Sequence, residues 1–238
     1  MKDIITSAQN KLLKALSGRI DDFYLGGGTA LSSYYFHHRR SIDLDFFTHK
    51  LSRIRVQEVM KLVSEALKKQ PSLIGQNSGK GKVKMFVYSV PLDKNAALKI
   101  DFIEEYLELI KPAKSINGIK VLSLEDIYMR KIYAVTGTFT GIDGVGRKTV
   151  RGGRQEAKDF YDLFCLSRIF MKLSDFSFQY GTTLIRELLI RWFRTYSRLD
   201  IKTGLIELGL KKAVDYSDME RHFKQEIGKI LEQEVQEI

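Results

Sequence analysis

The sequence predicts an α+β protein: a mixed sheet flanked by helices over about residues 1–120, then a helical half over 121–238 packed against it. Three observations predict this. Short strand-like segments are interleaved with helical ones as far as Asn117-Gly118. From Ser123 onward the apolar spacing is helical. Only three prolines occur, and no proline-rich linker divides the halves.

The elements follow in order. Residues 4–17 place Ile4, Ile5, Leu12, Leu13 and Leu16 on one helical face. Phe23-Tyr24-Leu25 reads as a short strand entering three glycines, 29–35 as a helix and 42–47 as a strand. Residues 53–69 read as a helix, and 83–90 and 97–103 as strands separated by Pro91–Asn95. Gly79-Lys80-Gly81-Lys82 reads as a turn between strands. Asn117-Gly118 marks a hairpin turn, because both residues tolerate positive φ. Ser123-Leu124-Glu125-Asp126 resembles a capping box opening a helix to about Val135. A glycine-rich loop over 137–153 follows, then helices near 155–170, 182–199 and 218–236.

Composition narrows the function classes. With 44% hydrophobic and 29% charged residues, the chain has the make-up of an ordinary globular protein. No apolar run is long enough to suggest a membrane span. The start, Met1-Lys2-Asp3-Ile4-Ile5, lacks the charged-then-apolar order of a signal peptide. The single Cys165 sits among apolar residues and reads as a core thiol. A cytoplasmic location is expected. Lys and Arg exceed Asp and Glu by 39 to 29, a net charge of +10, which favours polyanionic partners.

The informative stretch is Gly26-Gly27-Gly28-Thr29, followed by Ser41-Ile42-Asp43-Leu44-Asp45-Phe46. On a strand, Asp43 and Asp45 project from one face and Ile42, Leu44 and Phe46 from the other. Two carboxylates at that spacing lie about 6–7 Å apart. They repel by roughly 2–3 kcal/mol at an effective dielectric near 20. A divalent cation such as Mg²⁺ (or Mn²⁺) removes the penalty and brings phosphate oxygens with it. The glycine turn, with Gly27 and Gly28, would let backbone approach a phosphate at a helix start, and Thr29 would add a hydroxyl. In Leu98-Lys99-Ile100-Asp101-Phe102, Asp101 faces away from the apolar side chains. If that strand lies beside the first, three aspartates converge, with Asp101 helping to deprotonate an attacking hydroxyl. The alternative is an edge strand with a solvated acidic face after a structural glycine turn.

These residues resemble the nucleotidyltransferase superfamily pattern of a glycine pair, a short helix and Asp-hydrophobic-Asp on a strand. Leu25-Gly26-Gly27-Gly28-Thr29-Ala30-Leu31 with Arg39-Arg40-Ser41-Ile42-Asp43-Leu44-Asp45-Phe46-Phe47 is similar to the AbiEii/AbiGii toxin family. Ser123–Ile127 followed by Lys131 resembles that family's helix with a functional lysine. Arg154 with Lys158-Asp159-Phe160-Tyr161-Asp162-Leu163 resembles its Arg…Lys/Arg-Asp-x-x-Asp element. The resemblance spans residues 24 to about 166. It implies a polymerase-beta-like nucleotidyltransferase fold, Mg²⁺ and an NTP cosubstrate. It also implies a toxin of a toxin–antitoxin or abortive-infection system, a cognate antitoxin protein as partner, and tRNA or other RNA as acceptor.

The residues themselves bear on these roles. Lys131 falls in an apolar stripe, where a buried ammonium needs a partner such as phosphate or an aspartate; a snorkelling lysine is the alternative. Asp159 would position Lys131, a base or a nucleotide sugar, while Asp162 would cap or brace its helix. Arg39 and Arg40 would steer the triphosphate and Ser41 hydrogen-bond to it. Arg147, Lys148, Arg151 and Arg154 make the glycine-rich loop basic, and Arg191, Arg194 and Arg198 form a stripe on the 182–199 helix; each is either a solvated surface or an RNA contact. Zinc spacing, a P-loop and a Ser/His/Asp set are absent. The expected activity is nucleotide transfer from an NTP to an RNA. A catalytically inactive module of the same fold, binding RNA or protein, is the alternative, and a protein hydroxyl is an alternative acceptor.

Overall fold

The computed structural model describes residues 4–78, 83–146, 148–151, 153–210 and 214–236. The turn expected at 79–82 and Arg147 of the basic loop lie outside the described residues. The chain divides into two units, Met1–Tyr35 with Ser41–Asp126, and Phe36–Arg40 with Ile127–Ile238.

The first unit opens with helix α1 (Ile4–Leu16), which buries Ala8, Gln9, Leu12, Leu13 and Leu16. Strand β1 (Tyr24–Gly26) leads into a short helix α2 (Gly27–Ala30), continued by a π-helical turn over Leu31–Tyr35. Strand β2 (Asp43–Thr48) and helix α3 (Arg53–Leu67) follow, the latter capped by Ser52. Then come β3 (Ser72–Asn77), β4 (Met85–Pro91), β5 (Ala97–Glu104), β6 (Lys114–Ile116) and β7 (Ile119–Val121). Among the described residues they form one mixed sheet in the order β3-β4-β5-β2-β1-β7-β6, with β2 parallel to β5 and β1 parallel to β7. The β6–β7 hairpin turns through Asn117 and Gly118 at φ of 51° and 72°, the primed turn that the Asn-Gly pair predicts.

Strand alternation divides the sheet into two faces. Leu44, Phe46, Leu98, Ile100 and Phe102 are fully buried on one. There Phe102 stacks on Phe46 at 5.7 Å and meets Phe23 edge-on at 5.4 Å. Helix α1 covers part of this face, packing on β5 and on α3. The other face of β2 and β5 carries Asp43, Asp45, Lys99 and Asp101. Strand β3 was not predicted. It is an edge strand whose Leu73 and Ile74 are exposed, so it lacks the alternating burial that marks a strand in sequence.

The boundary between units falls within helix α4 (Leu124–Thr136). Ser123 caps it as expected: its Oγ accepts from the Asp126 N–H at 3.1 Å and donates to the Asp126 carboxylate at 2.6 Å. That carboxylate also accepts from the backbone N–H groups of Ile110 and Lys111. In the second unit, the expected loop at 137–153 is instead a two-stranded hairpin, β8 (Thr138–Ile142) and β9 (Lys148–Arg151). Its glycines serve bends and turns, with positive φ at Gly137, Gly141, Gly146 and Gly153.

Helices α5 (Ala157–Cys165, ending in a π-helical turn to Phe170), α6 (Leu173–Tyr180), α7 (Thr183–Thr195), α8 (Arg198–Glu207) and α9 (Tyr216–Gln236) complete the second unit. Helices α5, α6 and α7 all pack on α9. The predicted 182–199 helix ends at Thr195, because Tyr196 turns extended and Ser197 caps a new helix. Arg198 therefore leaves the expected stripe and pairs with Glu220 at 2.6 Å. Helix α6 was also missed. Its buried first-turn amide at Ser174 is satisfied by Glu226 of α9, which also accepts from Ser174 Oγ at 2.7 Å. Cys165 is buried, as expected of a core thiol.

Next to Glu226, buried His222 lies 2.7 Å from Ser167 Oγ, which itself accepts from the Leu173 N–H. The ring and the hydroxyl share a buried hydrogen bond. Burial, aided by Lys172, Arg168 and Lys229 and opposed by Glu226, pushes the His222 pKa down from 6.5 to about 4. Below pH 6.5 the unfolded chain takes up a proton that the folded chain refuses, so stability falls as the pH drops towards 4. Urea midpoints measured between pH 7.5 and 5 should fall in the wild type and fall less in His222→Gln, whose amide oxygen can accept the same bond.

Candidate active site

The glycine turn and β2 are built around a close approach. Gly27 has φ of +63°, and a Cβ there would overlap the Asp45 carboxylate. Asp45 therefore lies directly against the start of α2, where only glycine leaves room for it. The register of β1 on β2, with Gly26 opposite Asp45, sets this contact.

Parallel pairing of β2 with β5 sets the next. Asp45 is opposite Asp101, and Asp43 is opposite Lys99. Asp43, Asp45 and Asp101 thus share one face with Lys99, whose Nζ lies 2.6 Å from Asp101 Oδ2. Burial works against the Lys99 charge, but Asp101, Asp43 and Asp45 outweigh it and hold the ammonium above its ordinary value. Lys99 was not singled out in the sequence, although period-two spacing puts it on the same face as Asp101.

Two residues expected at the phosphates make hydrogen bonds within the scaffold. Thr29 is 1% exposed, and its hydroxyl donates to the backbone carbonyl of Asp43. The same hydroxyl lies 2.9 Å from Ser41 Oγ. Gln9 of α1 donates to the carbonyls of Ser41 and Asp43, each at 3.2 Å. These bonds fix the entry to β2, and with it the direction of Asp43. Gly28 is buried within α2.

The second unit gathers the remaining predicted residues. Lys131 is 6% exposed and lies 2.6 Å from Asp159 Oδ1 and 2.7 Å from Asp162 Oδ2. Arg39, expected at the nucleotide, is buried here: its Nε and Nη2 donate to the two oxygens of Asp162 at 2.6 and 2.7 Å. That fork grips a carboxylate bidentately. His38 Nε2 lies 2.7 Å from the same carboxylate, and Arg154 lies 3.1 Å from Asp159. Asp162, expected only to cap or brace a helix, is the hub of this network. Burial opposes its charge, but Lys131 and Arg39, with hydrogen bonds from Arg39 and His38, hold it well below the usual carboxylate range. Lys131 is held above its ordinary value, since Asp162 and Asp159 outweigh the effect of burial.

A divalent cation fits the first-unit carboxylates. Asp101 Oδ1 is buried and accepts no hydrogen bond from any described residue. Among the described residues no group of three or more Asp, Glu, His or Cys side chains is gathered to hold a metal ion. Magnesium usually takes one or two protein carboxylates, its shell completed by water and phosphate oxygens.

The fold and the acidic face at a glycine turn define a protein of the nucleotidyltransferase type. The chain shares its fold with two solved H. pylori structures. One, a protein assigned as a nucleotidyltransferase, aligns at a TM-score of 0.60 and 17% identity over 96% of this chain and 93% of that one. The other, JHP933, aligns at 0.57 and 19% over 98% and 94%. None of the curated proteins compared matches the chain. The chain belongs to the nucleotidyl transferase AbiEii toxin family of type IV toxin–antitoxin systems, whose match covers residues 11–238. Among the described residues no helix is long and apolar enough to cross a membrane.

Two substitutions separate the roles of these residues. Gly27→Ala should displace Asp45 and abolish nucleotide transfer while lowering stability by only about 1–2 kcal/mol, the cost of a left-handed backbone at a non-glycine residue. Label transfer and urea unfolding read the two effects, and full activity would refute the close-approach argument. Asp162→Ala strands buried Arg39 and half the partners of Lys131, and should cost about 3–5 kcal/mol. A loss below about 1 kcal/mol by urea unfolding would refute the hub role.

Proposed function

We propose that the chain transfers a nucleotide from an NTP to a hydroxyl of tRNA or another RNA, and that this reaction is the toxic activity. The observation that carries the proposal is Asp45 pressed against Gly27 and aligned with Asp101 on the neighbouring strand. Asp43 and Asp45 would hold Mg²⁺ or Mn²⁺, and Gly27 and Gly28 would let the phosphates approach the backbone. The ion, when bound, neutralises charge on the phosphates.

In this reaction the acceptor oxygen bonds to the α-phosphorus, the bond to the β-phosphate oxygen breaks, and pyrophosphate leaves. Asp101 orients the acceptor hydroxyl and takes up its proton as the new bond forms. Lys99 holds the Asp101 carboxylate in position from the same strand. Most of the barrier reduction comes from positioning and electrostatics. Thr29 and Ser41 act as positioning residues through the Asp43 carbonyl. Lys131, Asp159 and Arg39 act as positioning residues too, since their charged groups pair within the second unit and anchor Phe36–Arg40 there. An RNA acceptor suits the net charge of +10, and a cognate antitoxin protein suits the family.

Incubation with Mg²⁺, each labelled NTP and total RNA tests this directly. Label should enter RNA with the wild type and vanish in Asp43→Ala/Asp45→Ala. Label on protein would move the acceptor to a protein hydroxyl, and no label on any acceptor would leave a binding module without transfer.

A further inference from the structure

The first unit contains a cavity of about 680 Å³ that the transfer reaction does not use. It lies between α1, the turn that follows α1, the π-helical turn and the β6–β7 hairpin. Leu13 and Ile119 supply apolar wall, the Tyr34 ring a flat one, and Asn117 amide chemistry. Lys14 and Arg19 also line it. No acidic side chain is among its lining residues, and both cations are exposed to incoming ligand.

We propose that this cavity binds a phosphorylated nucleoside. Its volume falls within the range of small-ligand sites. A phosphate carries the charge that Lys14 and Arg19 complement, the guanidinium by its planar fork and the ammonium as a point charge. The base stacks on Tyr34, a contact every base can make. Asn117 offers both a donor and an acceptor to a base edge or sugar hydroxyl. The same chemistry is presented by a free mononucleotide and by one nucleotide of an RNA strand. Tyr34 lies on the helical run that begins at Gly27, about 10 Å along it. The site would therefore hold its ligand on the element that also seats Asp45. Nothing in this proposal depends on transfer taking place.

Equilibrium dialysis tests it on the full chain carrying Asp43→Ala and Asp45→Ala, without divalent cation, so that the acidic face contributes nothing. The probes are AMP, inorganic phosphate and an RNA trinucleotide. AMP or the trinucleotide should bind at one per chain; binding of AMP identifies a free-nucleotide site, and binding of the trinucleotide alone a strand site. Lys14→Glu/Arg19→Glu should weaken that binding by about tenfold or more, as expected for two lost charge-assisted contacts. Tyr34→Ala should weaken the nucleotide several-fold and leave phosphate unchanged. Urea midpoints verify that each variant is folded. The proposal is overturned if neither nucleotide probe binds at millimolar concentration, if the charge reversal changes nothing, or if Tyr34→Ala affects no probe.

Discussion

Asp45 and Asp101 occupy paired positions on neighbouring strands, where strand spacing alone places them about 5 Å apart. At an effective dielectric near 20, that costs roughly 3 kcal/mol before Asp43 is counted. The first unit is arranged around holding these charges in place. Leu44, Phe46, Ile100 and Phe102 anchor the reverse face of the same two strands in the core. A one-residue slip of either strand would bury a carboxylate and expose a phenylalanine. Lys99 relieves part of the repulsion from within the sheet, and a cation would relieve the rest.

The second unit handles buried charge differently. Asp162 and Asp159 are fully buried, yet each has cations within ion-pair distance: Lys131 and Arg39 for Asp162, Lys131 and Arg154 for Asp159. Such a network is costly to desolvate and more costly to break. It ties Phe36–Arg40 to helices far along the chain, so a segment adjacent in sequence to the acidic strand folds with the helical unit. The face of β2 and β5 leaves carboxylate capacity over, as the unbonded Asp101 Oδ1 shows, whereas Asp162 is fully engaged and Asp159 Oδ2, also without a hydrogen bond, has the Arg154 guanidinium 3.1 Å away. That contrast is why the first unit, and not the buried network, is proposed to meet the phosphates.

Much of the site was legible because its signals are local. Period two put Asp43 and Asp45 on one face, and placed Asp101 opposite its apolar neighbours in the same way. The need of a buried ammonium for a partner pointed from Lys131 to an aspartate. The pairing of Arg39 with Asp162 had no local signal, since the two lie 123 residues apart. The bonds of Thr29 and Ser41 were not legible, because a hydroxyl near a glycine turn can as well bond a strand carbonyl as a phosphate. Helix α6 was missed because Leu173-Ser174-Asp175-Phe176-Ser177 has weak helix propensity, and its cap comes from Glu226.

The sequence by itself determined which residues face each side of a strand or helix, the Asn-Gly turn, the helix start at Ser123 and the family motifs. These depend on backbone geometry over a few residues. Only the tertiary structure decided that β2 runs beside β5 with Asp45 level with Asp101, that Lys99 sits among the carboxylates, and that Arg39 closes on Asp162. Those outcomes depend on strand order and helix packing, where the partner of a charge is chosen by which distant segment covers the same buried surface.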